Sequence, residues 1–473
     1  MFIEELENNS LCINTKGGLY YNTTFDANLD IFSMATRFLD ENKLYKQFNK
    51  AFSENKYLLT ANILYLLDIR NGKGERRVFK FFFKEMCYKD QKLAEIILNQ
   101  IPNLGRYDYL FESYNTPLWD KALNIISNQL KKDISSDTPS LLAKWMPSIR
   151  NHNVNNNFAK RLSKMLKMSE AEYRKTLSNL RSKIDIVEKK ISNRNYQIDY
   201  EKVPSKAMKN YQNVFFKYDY ENFTNYLASL KKGEAKINTK GLAPYELVKL
   251  ALENKGNPEV INQLWEKQEN YFTNSTNSNV LVIADTSGSM SSYNNIPISS
   301  AVGLAIYLAE RNTGIFHNKF INFSSNPTLQ TISGSNLTEI LENLDYDNWD
   351  STTNINSAMS LILKATKKSR DDAPSHLLII SDMEFDSCVE EKTNYSYWKE
   401  EYQKYGIKMP KIIFWNVAGN SLGIPVTKNE DGVAIVSGFS SSIFKGIFDI
   451  ENYNPIEVMK EILKPYMDLI TLE

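Results

Sequence analysis

Residues Asn279–Met290 read NVLVIADTSGSM, an apolar run that ends at an aspartate and is followed by two serines. A continuous apolar run of this length is typical of a central parallel strand that is covered on both faces. The polar cluster then lies at the carboxyl end of the strand, where open α/β sheets bind their ligands. Asp285, Ser287 and Ser289 offer one carboxylate and two hydroxyls, which are oxygen donors of the kind that Mg²⁺ prefers. We therefore expect a metal site whose remaining ligands come from later in the chain.

Alternating strand and helix patterns follow Met290 and predict an α/β domain over residues 279–473. Four further apolar runs each precede a loop and a helical pattern: HNKFINFSS (317–325), HLLIISDMEFD (376–386), KIIFWNV (411–417) and GVAIVSGFS (432–440). Such alternation is typical of a doubly wound, mostly parallel sheet. The second of these runs repeats the opening pattern, because its strand also ends at an aspartate, Asp382.

The Asp-x-Ser-x-Ser motif, a threonine before a helix and an aspartate at a later strand end resemble a von Willebrand factor A domain with a metal-ion-dependent adhesion site. The resemblance implies that Ser287, Ser289 and Thr353 are direct ligands of Mg²⁺ or another divalent cation. It implies that Asp285 and Asp382 bind the ion directly or through water. In this family one octahedral position is left for a carboxylate of a partner, which here would belong to an acidic protein.

The threonine ligand has an alternative in this sequence. The family often has two glycines before the threonine, whereas this chain has Ser351-Thr352, so the choice between Thr352 and Thr353 stays open. Thr353 is preferred because Asn354 and a helical pattern follow it. The position two residues after Asp285 is a serine, not the second carboxylate that a haloacid-dehalogenase phosphatase requires, and no catalytic base accompanies a nucleophile. These features favour a docking site over an enzyme.

The first half of the chain has a helical pattern. Residues 1–29 are polar and read as an N-terminal extension, with a short hairpin near Lys16-Gly17-Gly18. From residue 30 to 272, apolar residues recur three and four apart in successive hairpins of about 40 residues, which suggests a HEAT-like α-solenoid. The turn Gly72-Lys73-Gly74 follows a helix and lacks the spacing of a phosphate loop. A linker rich in Ser and Asn at 273–278 separates the two regions.

Composition and charge limit the function. The 473 residues are 42% hydrophobic and 24% charged, without an apolar run of membrane-spanning length, so we expect a protein that does not cross a membrane. Three cysteines and three histidines without metal spacing argue against a zinc enzyme and favour a reducing compartment. The net charge of +1 conceals a basic segment, since residues 144–250 carry 22 Lys and Arg against 10 Asp and Glu. Such asymmetry suggests a polyanionic partner.

The whole layout resembles the Ro-type (TROVE plus von Willebrand A) RNA-binding proteins, and still more a sister family that shares it. The motifs that carry this resemblance are Asp68–Arg76, Gly105–Asp108, Lys144–Ser148, Lys202–Ser205 and Ser381–Phe385. Ro proteins bind small and misfolded RNAs on a ring of HEAT-like repeats. The resemblance therefore implies RNA binding without DNA specificity, and the basic segment lies in the expected half.

The leading hypothesis is a non-enzymatic RNA-binding scaffold with a Mg²⁺-dependent C-terminal domain, acting in the cytoplasm. The Lys-, Asn-, Ile- and Tyr-rich composition suggests a viral or phage origin. The candidate RNA contacts, chosen by charge and neighbourhood, are Arg150, His152, Lys160, Arg161, Arg174 and Arg181. The alternative is a protein-interaction or virion assembly component that docks an acidic partner at the metal site without RNA.

Overall fold

The computed structural model describes residues 11–471 apart from 15, 150–155, 185, 273–278, 324–325, 348, 350–353, 388–391, 420–422 and 446. The chain forms two compact units. The first unit combines Met1–Lys56 with Tyr200–Lys464, and the second combines Tyr57–Asp199 with Pro465–Glu473. In the described part of the chain, no helix is both long and apolar enough to cross a membrane.

A short hairpin and a series of helices precede the large sheet. The hairpin consists of β1 (Leu11–Ile13) and β2 (Leu19–Tyr21), which pair antiparallel, as the sequence predicted near Lys16-Gly17-Gly18. The helices are, in chain order, α1 (Ala27–Met34), α2 (Glu41–Leu67), α3 (Arg76–Lys89), α4 (Gln91–Leu104), α5 (Trp119–Ile134), α6 (Leu142–Trp145), α7 (Asn156–Met165), α8 (Glu170–Lys183), α9 (Val187–Ser192), α10 (Ser205–Tyr218), α11 (Tyr220–Lys232), α12 (Pro244–Leu252) and α13 (Pro258–Glu266).

Helix α4 shows why this half of the chain is helical. Its buried residues are Leu93, Ala94, Ile97, Leu98 and Ile101, three or four apart, so that they form one apolar stripe. The Asp90 side chain caps the helix by accepting from the backbone N–H groups of Lys92 and Leu93. The Gly72-Lys73-Gly74 segment lies between α2 and α3, which confirms that it is an inter-helix turn.

A six-stranded sheet occupies the C-terminal half. Its strands are β3 (Val280–Asp285), β4 (Lys319–Phe323), β5 (Leu329–Thr331), β6 (His376–Ser381), β7 (Lys411–Asn416) and β8 (Val433–Ser437), in the order β5-β4-β3-β6-β7-β8. Only β5 runs antiparallel, against β4. The helices in this part of the chain are α14 (Ser292–Arg311), α15 (Leu337–Glu342), α16 (Ile355–Lys368), α17 (Asn394–Lys404) and α18 (Pro455–Thr471). The predicted layout of helices followed by an α/β domain is confirmed.

The N-terminal segment packs against the sheet. All eight residues of α1 are buried. The Ser437 hydroxyl donates to the Phe32 carbonyl at 3.0 Å, and the Thr36 hydroxyl donates to the Ala418 carbonyl at 3.0 Å. Strands β7 and β8 cover the apolar surface of α1. The N-terminal segment therefore belongs to the same compact unit as the sheet, whereas the linear division separates an extension, a helical region and an α/β domain.

Candidate metal centre

The candidate metal site lies where the sheet reverses its winding. Strands β4 and β5 lie on one side of β3, whereas β6, β7 and β8 lie on the other, so the topological switch point falls between β3 and β6. Ligands of open α/β sheets bind at the carboxyl end of such a switch point. The register pairs Ala284 with Ile380, which brings the end of β3 beside the end of β6. Asp285 and Asp382 therefore reach the same edge, as the strand pattern predicted.

Asp285 is fully buried and held at both oxygens. Its Oδ1 accepts from the backbone N–H of Ser287 at 2.9 Å, and its Oδ2 accepts from the hydroxyl of Ser381 at 2.6 Å. A carboxylate has about four acceptor positions on its two oxygens. The two hydrogen bonds thus fix the orientation of the carboxylate and leave acceptor capacity for a cation or a bound water.

The two serines of the motif place their hydroxyls side by side. Ser287 is buried and Ser289 is half-buried, and their Oγ atoms are 3.1 Å apart. Neighbouring ligands on an octahedral Mg²⁺ with 2.1 Å bonds lie about 3.0 Å apart. The separation of the two hydroxyls therefore fits adjacent positions on one ion.

Asp382 lies directly after β6, at a tight turn of the backbone. The next residue, Met383, has a φ of +70°, which is uncommon for a residue with a side chain. The turn is held by two hydrogen bonds, since the Met383 N–H donates to the Ser381 hydroxyl at 3.0 Å and the Glu384 N–H donates to Asp382 Oδ1 at 3.1 Å. Asp382 itself is buried, so its carboxylate is fixed near Asp285.

The electrostatics of the pair suit a cation. Burial raises the pKa of Asp285 above its ordinary value, and the neighbouring charge of Asp382 raises that pKa further. Both effects penalise the ionised form, which a cation between the carboxylates would favour. In the described residues there is no group of three or more His, Cys, Asp and Glu that could hold a metal. The centre depends instead on two carboxylates together with serine hydroxyls.

The predicted threonine ligand cannot be placed. Thr353 and its alternative Thr352 lie outside the described residues. Asn354, which follows them, caps α16 by accepting from the N–H of Ser357 at 3.0 Å. The expected helix therefore starts where the sequence predicted it.

The six predicted RNA contacts have different environments. Arg150 and His152 lie outside the described residues. The Nζ of Lys160 lies 3.9 Å from the Oε2 of Glu170. Arg161 is exposed. Arg174 is also exposed and lines a shallow depression on the second unit.

Arg181 lines the same depression but is engaged within the protein. Its guanidinium donates to the carbonyls of Ala143 and Met146, both at 2.7 Å, and to the Ser148 hydroxyl at 2.8 Å. It therefore holds the segment after α6 against α8. A buried carbonyl partner is not visible in a charge pattern, which is why sequence reasoning grouped Arg181 with the surface cations.

The aromatic residues around α10 mostly fill the core. Phe215 and Phe223 are fully buried, and their ring centroids are 5.3 Å apart. Phe216 is half-buried. Tyr218 differs from them, because 53% of its surface is exposed.

Two family models match this chain. The first, described as a domain of unknown function (DUF7788), matches residues 279–463, which contain the whole six-stranded sheet. The second, described as a domain of unknown function (DUF2828), matches residues 150–279. The chain is also similar to "Uncharacterized protein L728" of Acanthamoeba polyphaga mimivirus, with 29% identity over 506 residues that cover 97% of this chain and 88% of that protein.

Proposed function

We propose that residues 279–473 form a von Willebrand factor A domain whose metal-ion-dependent adhesion site docks a carboxylate of an acidic protein partner. The observation that carries this proposal is the convergence of carboxylates and hydroxyls from β3 and β6 at the switch point of the sheet. The separation of the serine hydroxyls fits one octahedral ion, which supports Mg²⁺ or a similar divalent cation.

In this proposal each residue has a distinct part. Ser287 and Ser289 would bind the ion through their hydroxyls, and Thr353 would supply a third hydroxyl. Asp285 and Asp382 would bind directly or through water, since both are oriented by hydrogen bonds. A bound cation would supply a Lewis-acidic position for the carboxylate of a partner. Among the described residues, no base accompanies a nucleophile at the site, and we therefore propose docking and not catalysis.

Calorimetric titration with Mg²⁺ and Mn²⁺ tests the metal site. We expect binding by the full chain and its loss in Asp285→Ala and in Asp382→Ala. A chain that binds neither ion would refute the metal-dependent role. A phosphatase or nuclease activity that is present in the wild type and lost in both variants would replace docking by hydrolysis.

We further propose that the second unit, as a HEAT-like helical region, binds RNA through exposed basic side chains of α7, α8 and the turn between them. Lys164, Lys167, Arg174 and Lys175 are exposed, and no salt bridge to them is found among the described residues. Arg174 lines the depression, of about 400 Å³, together with Lys189 and three serines. Exposed cations next to hydroxyl donors can bind the phosphate oxygens of RNA. Such contacts do not recognise the base sequence.

Filter binding with structured and single-stranded RNA tests this second role. A triple variant with Lys164→Glu, Arg174→Glu and Lys175→Glu should bind RNA at least roughly 10-fold more weakly. The slope of log K against log salt concentration should become less steep by about 2. The matched control is Lys84→Glu, Lys89→Glu and Lys92→Glu, three exposed residues of α3 and α4 in the same unit. Equal weakening by both sets would indicate attraction by net charge alone.

The alternative function is an assembly or virion component that uses the metal site without RNA. The mimivirus relative supports a viral origin. We propose that the protein acts in the cytoplasm of a host cell. A partner retained on the full chain, released by EDTA and indifferent to RNase would favour this alternative. Recovery and sequencing of copurified RNA from the native protein would favour the scaffold.

A further inference from the structure

The hairpin β1–β2 touches the segment that carries Asp382. The Asn14 side-chain amide donates to the Phe385 carbonyl at 2.8 Å. Gly17 forms an antiparallel bridge with Asp386. The hairpin tip therefore contacts Phe385 and Asp386, the second and third residues after Met383.

Asn14 also organises the hairpin tip itself. Its Oδ1 accepts from the backbone N–H groups of Lys16 at 2.9 Å and Gly18 at 2.8 Å. One side chain thus closes the hairpin turn with its oxygen and holds the Asp382 segment with its nitrogen. The two functions are separable, because they use different atoms.

The approach of the two segments is close. A Cβ on Gly18 would lie 2.3 Å from the Phe385 carbonyl oxygen, so only glycine permits this contact. The other end of β2 is fixed as well, since Tyr21 and Ile424 exchange backbone hydrogen bonds of 2.9 and 3.1 Å. The hairpin is therefore attached at both ends to loops at the carboxyl edge of the sheet.

The attached turn is one that needs support. Left-handed backbone at a non-glycine residue such as Met383 is unfavourable and persists where surrounding contacts determine it. Ser381 and Asp382 hold the turn from the sheet side, through the N–H groups of Met383 and Glu384. The hairpin holds the residues that follow the turn, through the Phe385 carbonyl and the bridge to Asp386.

We infer that the β1–β2 hairpin braces the candidate metal site and that Asn14 is a positioning residue for Asp382. This inference rests on the proposed metal-dependent function. It assigns to the N-terminal segment, which carries no metal ligand, the task of fixing the backbone from which one ligand projects. A cation site loses affinity when the supports of its ligands are removed, typically 10- to 100-fold.

The decisive variant is Asn14→Asp in the full chain. Aspartate keeps the oxygen that closes the hairpin turn and removes the N–H that holds Phe385. We expect Mn²⁺ and Mg²⁺ affinity to fall roughly 10-fold by calorimetry, with faster hydrogen exchange at Met383 and Glu384. An added negative charge by itself would strengthen cation binding, so a fall distinguishes lost positioning from changed electrostatics.

One further test variant and two control variants complete the experiment. Gly18→Ala should weaken metal binding as Asn14→Asp does, whereas Gly17→Asn should not, because Gly17 has a φ of +79° that asparagine tolerates and open space around its Cβ position. Ile13→Thr, at a residue that is 70% exposed in β1, should also leave affinity unchanged.

The outcomes separate this inference from the proposed function. If the wild type binds divalent cations and Asn14→Asp and Gly18→Ala bind them equally well, the brace is overturned and the metal site stands. If the wild type binds no cation, the proposed function fails. Hydrogen exchange alone then tests whether the hairpin holds the backbone around Asp382. Unchanged exchange at Met383 and Glu384 in both variants would then overturn it too.

Discussion

The two ends of strand β6 both hold buried polar side chains, but their surroundings differ. At the carboxyl end, the Ser381 hydroxyl donates to the carboxylate of Asp285, and the charge of Asp382 acts on that carboxylate from nearby. At the amino end, His376 lies against the rings of Phe448 and Tyr453, with centroids 5.5 and 5.7 Å away. Its Nδ1 meets the Ser375 hydroxyl at 3.0 Å, and its Nε2 is buried without a hydrogen-bond partner in the described structure.

This comparison shows that burial of a titratable group does not identify a site. Burial disfavours the charged form at both ends, raising the pKa of Asp285 and lowering the pKa of His376 to about 4. Only at the carboxyl end do several oxygen donors from different strands converge. Convergence at the switch point, and not the shifted pKa, indicates a ligand.

The largest effect that we expect comes from Asp285→Asn. Asparagine has the same shape, and its oxygen can accept from the Ser287 N–H while its amide nitrogen donates to the Ser381 hydroxyl in the reverse direction. The substitution removes the charge that attracts a cation. Calorimetry should show at least about a 100-fold loss of Mn²⁺ affinity, above the range for residues that only support ligands.

Chemical denaturation provides the control for Asp285→Asn. Without metal, the variant should unfold with a free energy no lower than that of the wild type, because a buried charge has been removed. Added metal at 100 times its Kd should stabilise only the wild type, by about 2.7 kcal/mol. Metal-dependent stabilisation of the variant as well would place the ion elsewhere.

The other end of β6 predicts an acid-sensitive stability without a ligand. Burial and, to a smaller extent, Lys411 lower the pKa of His376 from 6.5 to about 4, so the unfolded chain binds a proton first as the pH falls. Stability is therefore lost between about pH 6.5 and pH 4, by about 2 kcal/mol between pH 7 and pH 5. His376→Leu should remove that loss.

Urea unfolding of wild type and His376→Leu at both pH values measures this difference. The pH 7 values isolate the change in packing, because protonation of His376 in the unfolded chain then contributes only about 0.2 kcal/mol. An equal loss of stability in both proteins on going to pH 5 would assign the acid sensitivity to other groups. Metal affinity at pH 7 should be the same in both.

Much of the candidate metal centre could be predicted from the sequence because its parts are local. Asp285, Ser287 and Ser289 follow one apolar strand, and Asp382 follows another, so parallel pairing is enough to bring them to one edge. The helical pattern of the first half was equally readable, since apolar residues three and four apart form a stripe. That this site binds a divalent cation, and that it docks a partner, are still predictions.

The remaining features depend on contacts that leave no local pattern. The Asn14 amide and the Phe385 carbonyl are 371 positions apart, and a polar N-terminal stretch gives no sign of its destination. Arg181 has the same charge as Arg174, yet its guanidinium is used on backbone carbonyls. Counting charge locates a basic segment but cannot separate cations that face solvent from those that hold the fold.

The smallest effect that we expect distinguishes two serines at opposite ends of strand β6. Ser381→Ala removes the hydroxyl that donates to Asp285 and accepts from Met383, so Mn²⁺ affinity should fall roughly 10-fold. Ser375→Ala removes a hydroxyl that contacts His376 at the opposite end and should leave affinity unchanged. Equal losses in both variants would mean that affinity follows the stability of β6 as a whole. No loss in either would show that Asp285 is oriented without Ser381, and that the backbone N–H of Ser287 is sufficient to hold it.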